Sequence, residues 1–424
     1  MSEADRLNAI LERDAPAVHR CLTDLGRRVA FPLGNPAQSA QARGTQHNAT
    51  IGQVTDGRGG ALPVPALGDS LGDLDRKKAF LYSPQPGHAD LRKAWAARQR
   101  AHAGGSKAPT SLPILTHGLT QGLSFLADLF VDAETDVVLP SPTWENYGLI
   151  FTMRQQAPIT TYDYYEGDHY NVGGLAEALE NVRGKAVVVL GFPGNPTGYA
   201  PSAEEALRIA KVVTAHPGPL VIVIDDAYAG LLYEPGLMTR SLFWDVLERS
   251  DPERHFVVRV DGATKELFFF PGRVGFLTHG LTGDAEAALE SKVKCLGRGT
   301  VSGPPGPSQA LVHRALLDDA LEGQVAERVG EMKARYTALR DALEGLDSPW
   351  LEPLPFNSGL FALLRVHASI DADALRQHLI ADRSVGTIVL PEVNALRIAF
   401  CSVAAEAIPD MVAEIAAGAA QLAK

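Results

Sequence analysis

The hydrophobic pattern between about residues 88 and 280 alternates between two periods. Short runs rich in Val, Ile and Leu are separated by longer segments in which apolar residues recur every three or four positions. Short apolar strands between helices are typical of a mostly parallel sheet covered by helices on both faces. The strand-like runs are 112-LPILTH-117, 136-DVVLP-140, 185-KAVVVLGF-192, 219-PLVIVID-225, 255-HFVVRVD-261 and 273-RVGFLTH-279, and the helical patterns cover 88–103, 120–132, 174–183 and 203–215.

The two ends of the chain have a different character. Residues 1–30 predict one or two amphipathic helices, and residues 34–60 are rich in Gly, Asn, Gln and Thr, so we expect a loop there. We therefore expect a large domain at 65–325 and a smaller α+β domain formed by 1–64 and 326–424. The C-terminal elements expected are a long helix at about 308–345, strands 360-LFALLRV-366, 386-GTIVL-390 and 395-ALRIAF-400, and helices at 370–381 and 404–422.

Composition excludes several classes of protein. The 424 residues are 46% hydrophobic and 21% charged, which suits a globular chain with room for two cores. The net charge of −11 and the lack of a basic stripe argue against a nucleic-acid partner, and no apolar run is long enough to span a membrane. Cys21, Cys295 and Cys401 are far apart, so we expect no disulfide framework, no metal site and a reducing, cytoplasmic location.

Lys265 lies in the stretch 261-DGATKELFFFPGRVGF-276, between a predicted strand and a run of Leu and Phe. An ammonium group against apolar surface is costly unless it is paired or loses its proton. A lowered pKa is also what makes a lysine nucleophilic toward carbonyl groups. The residues alone leave two interpretations open, a surface lysine at a strand end and a reactive amine.

Other candidate side chains follow the remaining predicted strands, and ligands of such sheets bind beyond the carboxyl ends of the strands. Asn195 in 192-FPGNPTG-198 either belongs to a sharp turn or projects its amide into a cleft. Asp225 either caps a helix or pairs with a buried cationic ring nitrogen. Trp144 is either core filler or a face for an aromatic ligand. The stretch 117-HGLTQG-122 is either a plain turn or an anion site at a helix start.

Two arginines are candidates for binding an anionic ligand. Arg273, eight residues after Lys265, is suited to hold a phosphate bidentately. Arg397 lies in an apolar strand, where arginine is rarely buried without a partner. Its partner is either a substrate carboxylate or an acidic side chain of the protein itself.

Taken in order, these motifs resemble the fold-type I pyridoxal-phosphate enzymes, and among them the class I aminotransferases of the aspartate aminotransferase group, from about Asn48 to Arg397. The resemblance implies a seven-stranded, mostly parallel mixed sheet sandwiched by helices, a smaller α+β domain, and pyridoxal 5′-phosphate as cofactor. Lys265 matches the lysine that holds the cofactor as an aldimine and later moves the proton at the substrate Cα. Positive charge from Arg273 and the protonated ring would lower its pKa. Asp225 matches the carboxylate that keeps the ring nitrogen protonated.

Further positions match the family's contacts to cofactor and substrate. Tyr228 and Asn195 match hydrogen-bond donors to the phenolic oxygen of the ring, and Asn195 also borders the substrate. Arg397 matches the arginine that binds the substrate α-carboxylate, and Gly52 matches a loop glycine that lies over the substrate. The remaining matches are Trp144, which would stack on the ring, and the phosphate contacts Gly118, Leu119, Thr120, Thr264 and Arg273.

Two matches imply that each active site is shared between two chains. Arg298 stands four residues before 302-SGPP-305, where dicarboxylate-specific members of the group carry an arginine. Tyr82 matches a tyrosine that reaches the phosphate in the neighbouring chain. A site that borrows residues from a second chain requires a dimer, so we expect a homodimer.

The chain departs from the family pattern at several positions. Gly262 replaces a usual serine, which implies that one phosphate hydrogen bond is lost. Tyr147 replaces a histidine that orients the key aspartate, and its hydroxyl is able to donate in the same way. Glu145 replaces the proline that follows the stacking tryptophan in the family, and Gly303 replaces an asparagine.

The resemblance therefore implies an aminotransferase that moves an amino group between an L-amino acid and a 2-oxo acid such as 2-oxoglutarate in a ping-pong cycle. Arg298 and Arg397 favour aspartate and glutamate as substrates. An aromatic-amino-acid aminotransferase is the close alternative, because Arg298 could swing away from an aromatic side chain. A C–S lyase, a decarboxylase or a cyclopropane-carboxylate synthase on the same fold stays open, as does a non-enzymatic regulator.

Overall fold

The computed structural model describes residues 35–57, 60, 62–68, 72, 74, 78–79 and 81–423, together with residues 5, 8–9 and 12–13. Most of the segment for which N-terminal amphipathic helices are predicted, 1–30, lies outside these residues. The strands are β1 (His47–Asn48), β2 (Ile114–His117), β3 (Asp136–Ser141), β4 (Ile159–Asp163), β5 (Tyr165–Glu166), β6 (His169–Tyr170), β7 (Ala186–Leu190), β8 (Leu220–Asp225), β9 (His255–Gly262), β10 (Val274–His279), β11 (Leu351–Pro353), β12 (Ala362–Val366), β13 (Val385–Gly386), β14 (Ile388–Leu390) and β15 (Ala395–Ile398).

Helices cover both faces of the main sheet, and helices also form near both ends of the described residues. A π-helix follows β3 at Gly148–Arg154, and short 3₁₀ turns punctuate the C-terminal part. The α-helices are α1 (Asn35–Gln41), α2 (Pro65–Gly68), α3 (Ala89–Ala101), α4 (Gly118–Phe130), α5 (Val172–Glu180), α6 (Ala203–Thr214), α7 (Leu242–Leu247), α8 (Ala263–Glu266), α9 (Gly283–Thr300), α10 (Gly306–Leu316), α11 (Leu321–Glu344), α12 (Ala372–Asp382) and α13 (Ile408–Leu422).

The main sheet has seven strands in the order β2-β10-β9-β8-β7-β3-β4, and β10 alone runs antiparallel to its neighbours. Successive residues of its central strands enter different cores. Val187 and Val189 belong to one apolar cluster, while Val188 and Leu190 belong to the other. Both faces are therefore covered, as the continuous apolar runs of the sequence predict, and the α/β sandwich is confirmed.

A four-stranded antiparallel sheet, β11-β12-β15-β14, forms the C-terminal part. The N-terminal segment reaches it through β1, which pairs in parallel with β13, and Ala399 N donates to the carbonyl of Ala49 at 2.8 Å. This pairing agrees with a small domain built from both ends of the chain. The boundaries at 65 and 325 stay a prediction.

Several details differ from the predictions, including α7, β11 and the β5–β6 pair, which were not predicted. The helix expected at 308–345 is two helices, because Asp318 accepts hydrogen bonds from the backbone of the next turn and interrupts the first one. The expected loop at 34–60 contains α1 and β1. Helix α9 and strand β4 were not predicted, since Val293 is the one buried residue of α9 and Tyr162 the one buried residue of β4. An apolar stripe is the signal that such predictions need.

Two further observations concern the described residues alone. None of the helices among them is long and apolar enough to cross a bilayer. Nor do they contain a cluster of three or more His, Cys, Asp or Glu side chains placed to hold a metal ion.

Candidate active site

One cavity opens where the carboxyl ends of β3, β7, β8 and β9 meet the start of α4. The strand-end rule predicts this convergence, because parallel neighbours end at the same edge of a sheet. Its lining includes the predicted cofactor residues Leu119, Thr120, Trp144, Asn195, Asp225, Tyr228, Thr264, Lys265 and Arg273.

Lys265 occupies the short helix α8, directly after β9, and its Nζ lies 5.1 Å from the centre of the Tyr228 ring. Although the side chain reaches the cavity, the protein around it excludes bulk water, and burial lowers the pKa of Lys265 to about 8. Asp225 opposes this shift, and Arg273 adds to it as a smaller cause. Burial, more than the predicted neighbouring charge, therefore supplies the neutral amine that a carbonyl reaction needs.

Asp225 ends β8 and is buried. The hydroxyl of Tyr147 donates to its Oδ2 at 2.6 Å, and the backbone N–H of Ala227 donates to its Oδ1 at 3.2 Å. Burial raises the pKa of Asp225, while the Tyr147 hydrogen bond and the charge of Lys265 oppose that rise. A buried carboxylate with these partners suits a cationic ring nitrogen, and Tyr147 takes the orienting position expected from the sequence.

The opposite end of the cavity suits a phosphate. Gly118, the first residue of α4, has φ +73°, and a Cβ built on it would lie 2.1 Å from Nη2 of Arg273. The first turn of α4 carries no acidic side chain, and its backbone N–H groups have no acceptors within the helix. The hydroxyl of Thr264 is buried and has no hydrogen-bond partner among the described residues. A guanidinium, a helix start and an orphaned hydroxyl therefore converge, which fits the phosphate of pyridoxal phosphate.

Gly262 is fixed by its surroundings. A Cβ at this position would lie 2.4 Å from the carbonyl oxygen of Val274 and 2.7 Å from Cα of Gly275, both on the backbone of β10. The serine common in the family thus has no room between these strands.

Arg397 is buried in β15, next to this cavity. Its Nη1 donates to Oδ1 of Asn195 at 3.1 Å, its Nη2 donates to the carbonyl of Thr50 at 2.8 Å, and its guanidinium lies 4.5 Å from the centre of the Phe361 ring. Nε has no partner, and no carboxylate within the described ranges lies at ion-pair distance from Arg397, although the charge of Glu145 acts on it from farther away. The structural ion pair left open by the sequence is absent there, so the charge is available to a ligand.

A second cavity adjoins the first one and is lined by both Lys265 and Arg397. Gly52 lines it as well, packed against the Phe361 ring so closely that a Cβ would lie 2.3 Å from the ring. The predicted substrate residues Gly52, Asn195 and Arg397 are therefore brought together with the reactive amine.

Tyr82 and Arg298 line neither of these cavities. Tyr82 is 96% exposed, and Arg298 is an exposed residue of α9 whose Nη1 donates to Oγ of Ser302 at 3.0 Å. Their reach into the site of a neighbouring chain stays a prediction.

Sequence reasoning did not single out three residues that shape the site. Tyr164 lines the first cavity, with its hydroxyl near the turn that carries Asn195, and Phe361 and Thr50 support Arg397. The tyrosine-rich stretch 162-YDYY-165 is a weak signal for Tyr164. Nothing in the local sequence marks Phe361, which is remote in the chain from the groups it contacts.

Comparison with known proteins identifies relatives for this architecture. The family model described as aminotransferase class I and II matches residues 46–415. A cytoplasmic aspartate aminotransferase of Caenorhabditis elegans is 26% identical over 307 residues, which cover 70% of this chain and 73% of that protein. A probable N-succinyldiaminopimelate aminotransferase of Mycobacterium tuberculosis is 30% identical over 156 residues, or 36% of this chain and 38% of the relative.

Solved structures agree on the fold. An aminotransferase from Anaerococcus prevotii superposes with a TM-score of 0.80 at 20% identity, covering 94% of this chain and 98% of its own. A kynurenine aminotransferase from Pyrococcus horikoshii superposes with a TM-score of 0.78 at 17% identity, covering 95% and 98%.

Proposed function

Because the chain belongs to the class I and II aminotransferase family, we propose that it transfers an amino group from aspartate or glutamate to a 2-oxo acid such as 2-oxoglutarate. Family membership establishes an aminotransferase with pyridoxal 5′-phosphate as cofactor. The substrates are the proposal. The observation that carries it is the buried guanidinium of Arg397, which has no carboxylate partner among the described residues and faces the same cavity as Lys265.

The cofactor, when bound, supplies an aldehyde that takes up the amino group and an aromatic ring that withdraws electrons from the substrate Cα. Lys265 supplies a neutral amine at Nζ, which a pKa of about 8 makes available near neutral pH. The same Nζ would accept the proton from the substrate Cα and donate it to the former aldehyde carbon, which lies two bonds away across the nitrogen. General acid–base catalysis of this kind typically contributes about 10²–10⁴-fold to a rate.

Five other side chains would orient the cofactor. Asp225 holds a proton on the ring nitrogen by pairing with it, and Tyr147 keeps that carboxylate in place. Asn195 and Tyr228 lie 3.4 Å apart, Nδ2 to Oη, so both are able to donate to one oxygen of the ring. Trp144 covers one face of the cavity and contacts the Tyr147 ring edge-on at 5.4 Å.

Arg397 would bind the substrate α-carboxylate. Its contacts to Asn195 and Thr50 fix the plane of the guanidinium, so the fork is oriented before a substrate arrives. The stacking of the guanidinium on Phe361 adds a further restraint. A substrate carboxylate that meets this group brings its amino group toward Lys265, because both side chains line the same cavity.

We further propose a homodimer in which Tyr82 reaches the phosphate and Arg298 the distal carboxylate of the neighbouring site. Support comes from their match to family positions and from the 96% exposure of Tyr82, which is unusual for a large aromatic side chain. The division into a cofactor domain at 65–325 and a small domain at 1–64 plus 326–424 is part of the same proposal. So is a cytoplasmic location, which the free cysteines Cys295 and Cys401 support.

Replacing the lysine tests the proposal. Lys265→Ala is expected to lower turnover by at least about a thousandfold while the protein stays folded, because general-base and nucleophilic roles are lost together. Lys294→Ala is the matched control, since Lys294 is a partly exposed helical lysine that pairs with Glu290 and lines neither cavity of the site. Activity of Lys265→Ala close to that of the control would remove Lys265 from the reaction.

A further inference from the structure

The cavity shared by Lys265 and Arg397 has a third cationic side chain in its lining, Arg43. Ser39 and Ala40 of α1 line the same side. The cavity has a volume of about 450 Å³, and its lining contains no Asp or Glu. Every formal charge on its lining is therefore positive, an arrangement that favours an anionic occupant.

Arg43 is free to bind such an occupant. No ion pair and no side-chain hydrogen bond joins it to any other residue that the structure describes. Two arginines of the C-terminal elements are engaged in this way: Arg376 pairs with Asp373 at 2.7 Å, and Arg365 pairs with Glu352 at 2.8 Å. An unpaired guanidinium at the mouth of a cationic cavity is a ready partner for a carboxylate.

The segment that carries Arg43 is anchored to the C-terminal sheet. Oε1 of Gln38 accepts from the backbone N–H of Val389 at 2.7 Å, and Asn48 Nδ2 donates to the carbonyl of Ala42 at 3.1 Å. Ala42 also packs so tightly that a Cβ on Gly386 would lie 2.5 Å from its own Cβ. The backbone that positions Arg43 is thus fixed before any ligand binds, which lowers the entropic cost of binding.

The direction of the substrate side chain decides which charges it meets. Another cavity that Arg397 lines contains Glu145 and Glu392, but Lys265 does not line it. The cationic cavity alone joins the amine to the carboxylate anchor. A substrate held by both groups therefore occupies the cavity in which Arg43 is the remaining charged side chain, and neither glutamate lines that cavity.

We propose that Arg43 binds the second carboxylate of a dicarboxylic amino acid or 2-oxo acid while Arg397 binds the first. Both guanidinium groups then come from one chain, and selection for acidic substrates does not depend on Arg298 alone. The inference rests on the proposed function and names a further residue for its substrate preference.

Binding of unreactive acids to the cofactor-loaded protein tests Arg43 without turnover. Calorimetry compares glutarate, which has two carboxylates, with butyrate, which has one. Arg43→Gln is expected to weaken glutarate binding at least about tenfold and to leave butyrate within about twofold, with partial recovery in Arg43→Lys. Arg365→Gln, which removes an exposed arginine of the C-terminal sheet that lines neither cavity of the site, is the matched control and should change neither.

Two results overturn the inference. One is a glutarate affinity of Arg43→Gln within about twofold of the unsubstituted protein, and the other is an equal loss for glutarate and butyrate. Failure of the proposed function is recognised separately. If the proposed function fails, the unsubstituted protein converts no amino acid to a 2-oxo acid. If only the inference fails, turnover stays intact and Arg43→Gln changes the KM values for glutamate and for leucine equally.

Discussion

The hydroxyl of Tyr147 donates a 2.6 Å hydrogen bond to Oδ2 of Asp225, across 78 positions of the chain. Tyr147 stands where the resembling family commonly has a histidine, so a phenol performs the orienting contact here. Together with the N–H of Ala227, it holds a carboxylate in a buried place that would otherwise favour the protonated form. The contact therefore links the residue that precedes the π-helix to the buried carboxylate at the end of β8.

Tyr147→Phe is expected to weaken cofactor binding. Without the hydroxyl, the pKa of Asp225 rises further, so a smaller fraction of the carboxylate is available to pair with a protonated ring nitrogen. The unsatisfied oxygen also lowers the free energy of unfolding of the apoprotein by about 1–3 kcal/mol. Urea denaturation and titration with the cofactor measure the two effects.

The control is Tyr162→Phe, which removes a buried hydroxyl that contacts Tyr170. It should lower stability and leave cofactor affinity unchanged. Equal cofactor affinity in Tyr147→Phe and Tyr162→Phe would contradict the role given to Tyr147.

Uptake of the cofactor by the apoprotein should follow the titration of Lys265. The neutral amine is the reactive form, and a pKa of about 8 leaves about 10% of it neutral at pH 7 and about 90% at pH 9. The rate should therefore rise about tenfold between these values and level off above pH 9. Stopped-flow absorbance after mixing apoprotein with pyridoxal phosphate measures it, and a rate still climbing steeply at pH 10 would mean an ordinary lysine pKa.

Gly262→Ser should not restore the phosphate contact that the serine provides in relatives. The new Cβ would lie 2.4 Å from the carbonyl oxygen of Val274, so the strands must separate, at a cost of about 1–3 kcal/mol in the free energy of unfolding. Gly299→Ser is the control, because nothing lies within 4 Å of a Cβ there. A Gly262→Ser protein that is as stable as the control and binds the cofactor more tightly would refute this steric account.

Mixed dimers test the shared site. Lys265→Ala and Tyr82→Ala chains are each expected to be impaired alone, but a mixed dimer contains one site with neither change. Random mixing of equal amounts should then recover about a quarter of the unsubstituted activity. Lys265→Ala mixed with the doubly substituted chain should recover none, and a lack of recovery in the first mixture, with exchange verified by affinity tags, would place Tyr82 outside the site.

The sequence predicted the parts of the site that lie at strand ends. Asp225, Asn195 and Lys265 each follow an apolar run, and the geometry of a parallel sheet brings the ends of such runs to one edge. Their neighbours in space could not be found in this way. Arg43 and Phe361 come from segments remote from these strands, and only tertiary packing brings them to the cavity.

Secondary structure was predictable where apolar residues repeat and was missed where they do not. Strand β8 is apolar at every position before Asp225 and is buried throughout, so its pattern is strong. Val293 is the one buried residue of helix α9, so its sequence lacks the apolar stripe that indicates an amphipathic helix. The break before α11 depends on the hydrogen bond that the backbone N–H of Ala320 donates to Oδ1 of Asp318, which competes with the helix locally and leaves the hydrophobic period unchanged.

The most direct test of the aminotransferase assignment is the visible absorption spectrum of the cofactor-loaded protein after addition of L-glutamate, with no oxo-acid acceptor present and with the released product quantified. The account predicts that the visible band disappears and that about one equivalent of 2-oxoglutarate per chain is released. A band that persists with every amino acid tried, or release of ammonia or carbon dioxide in place of the oxo acid, would contradict it.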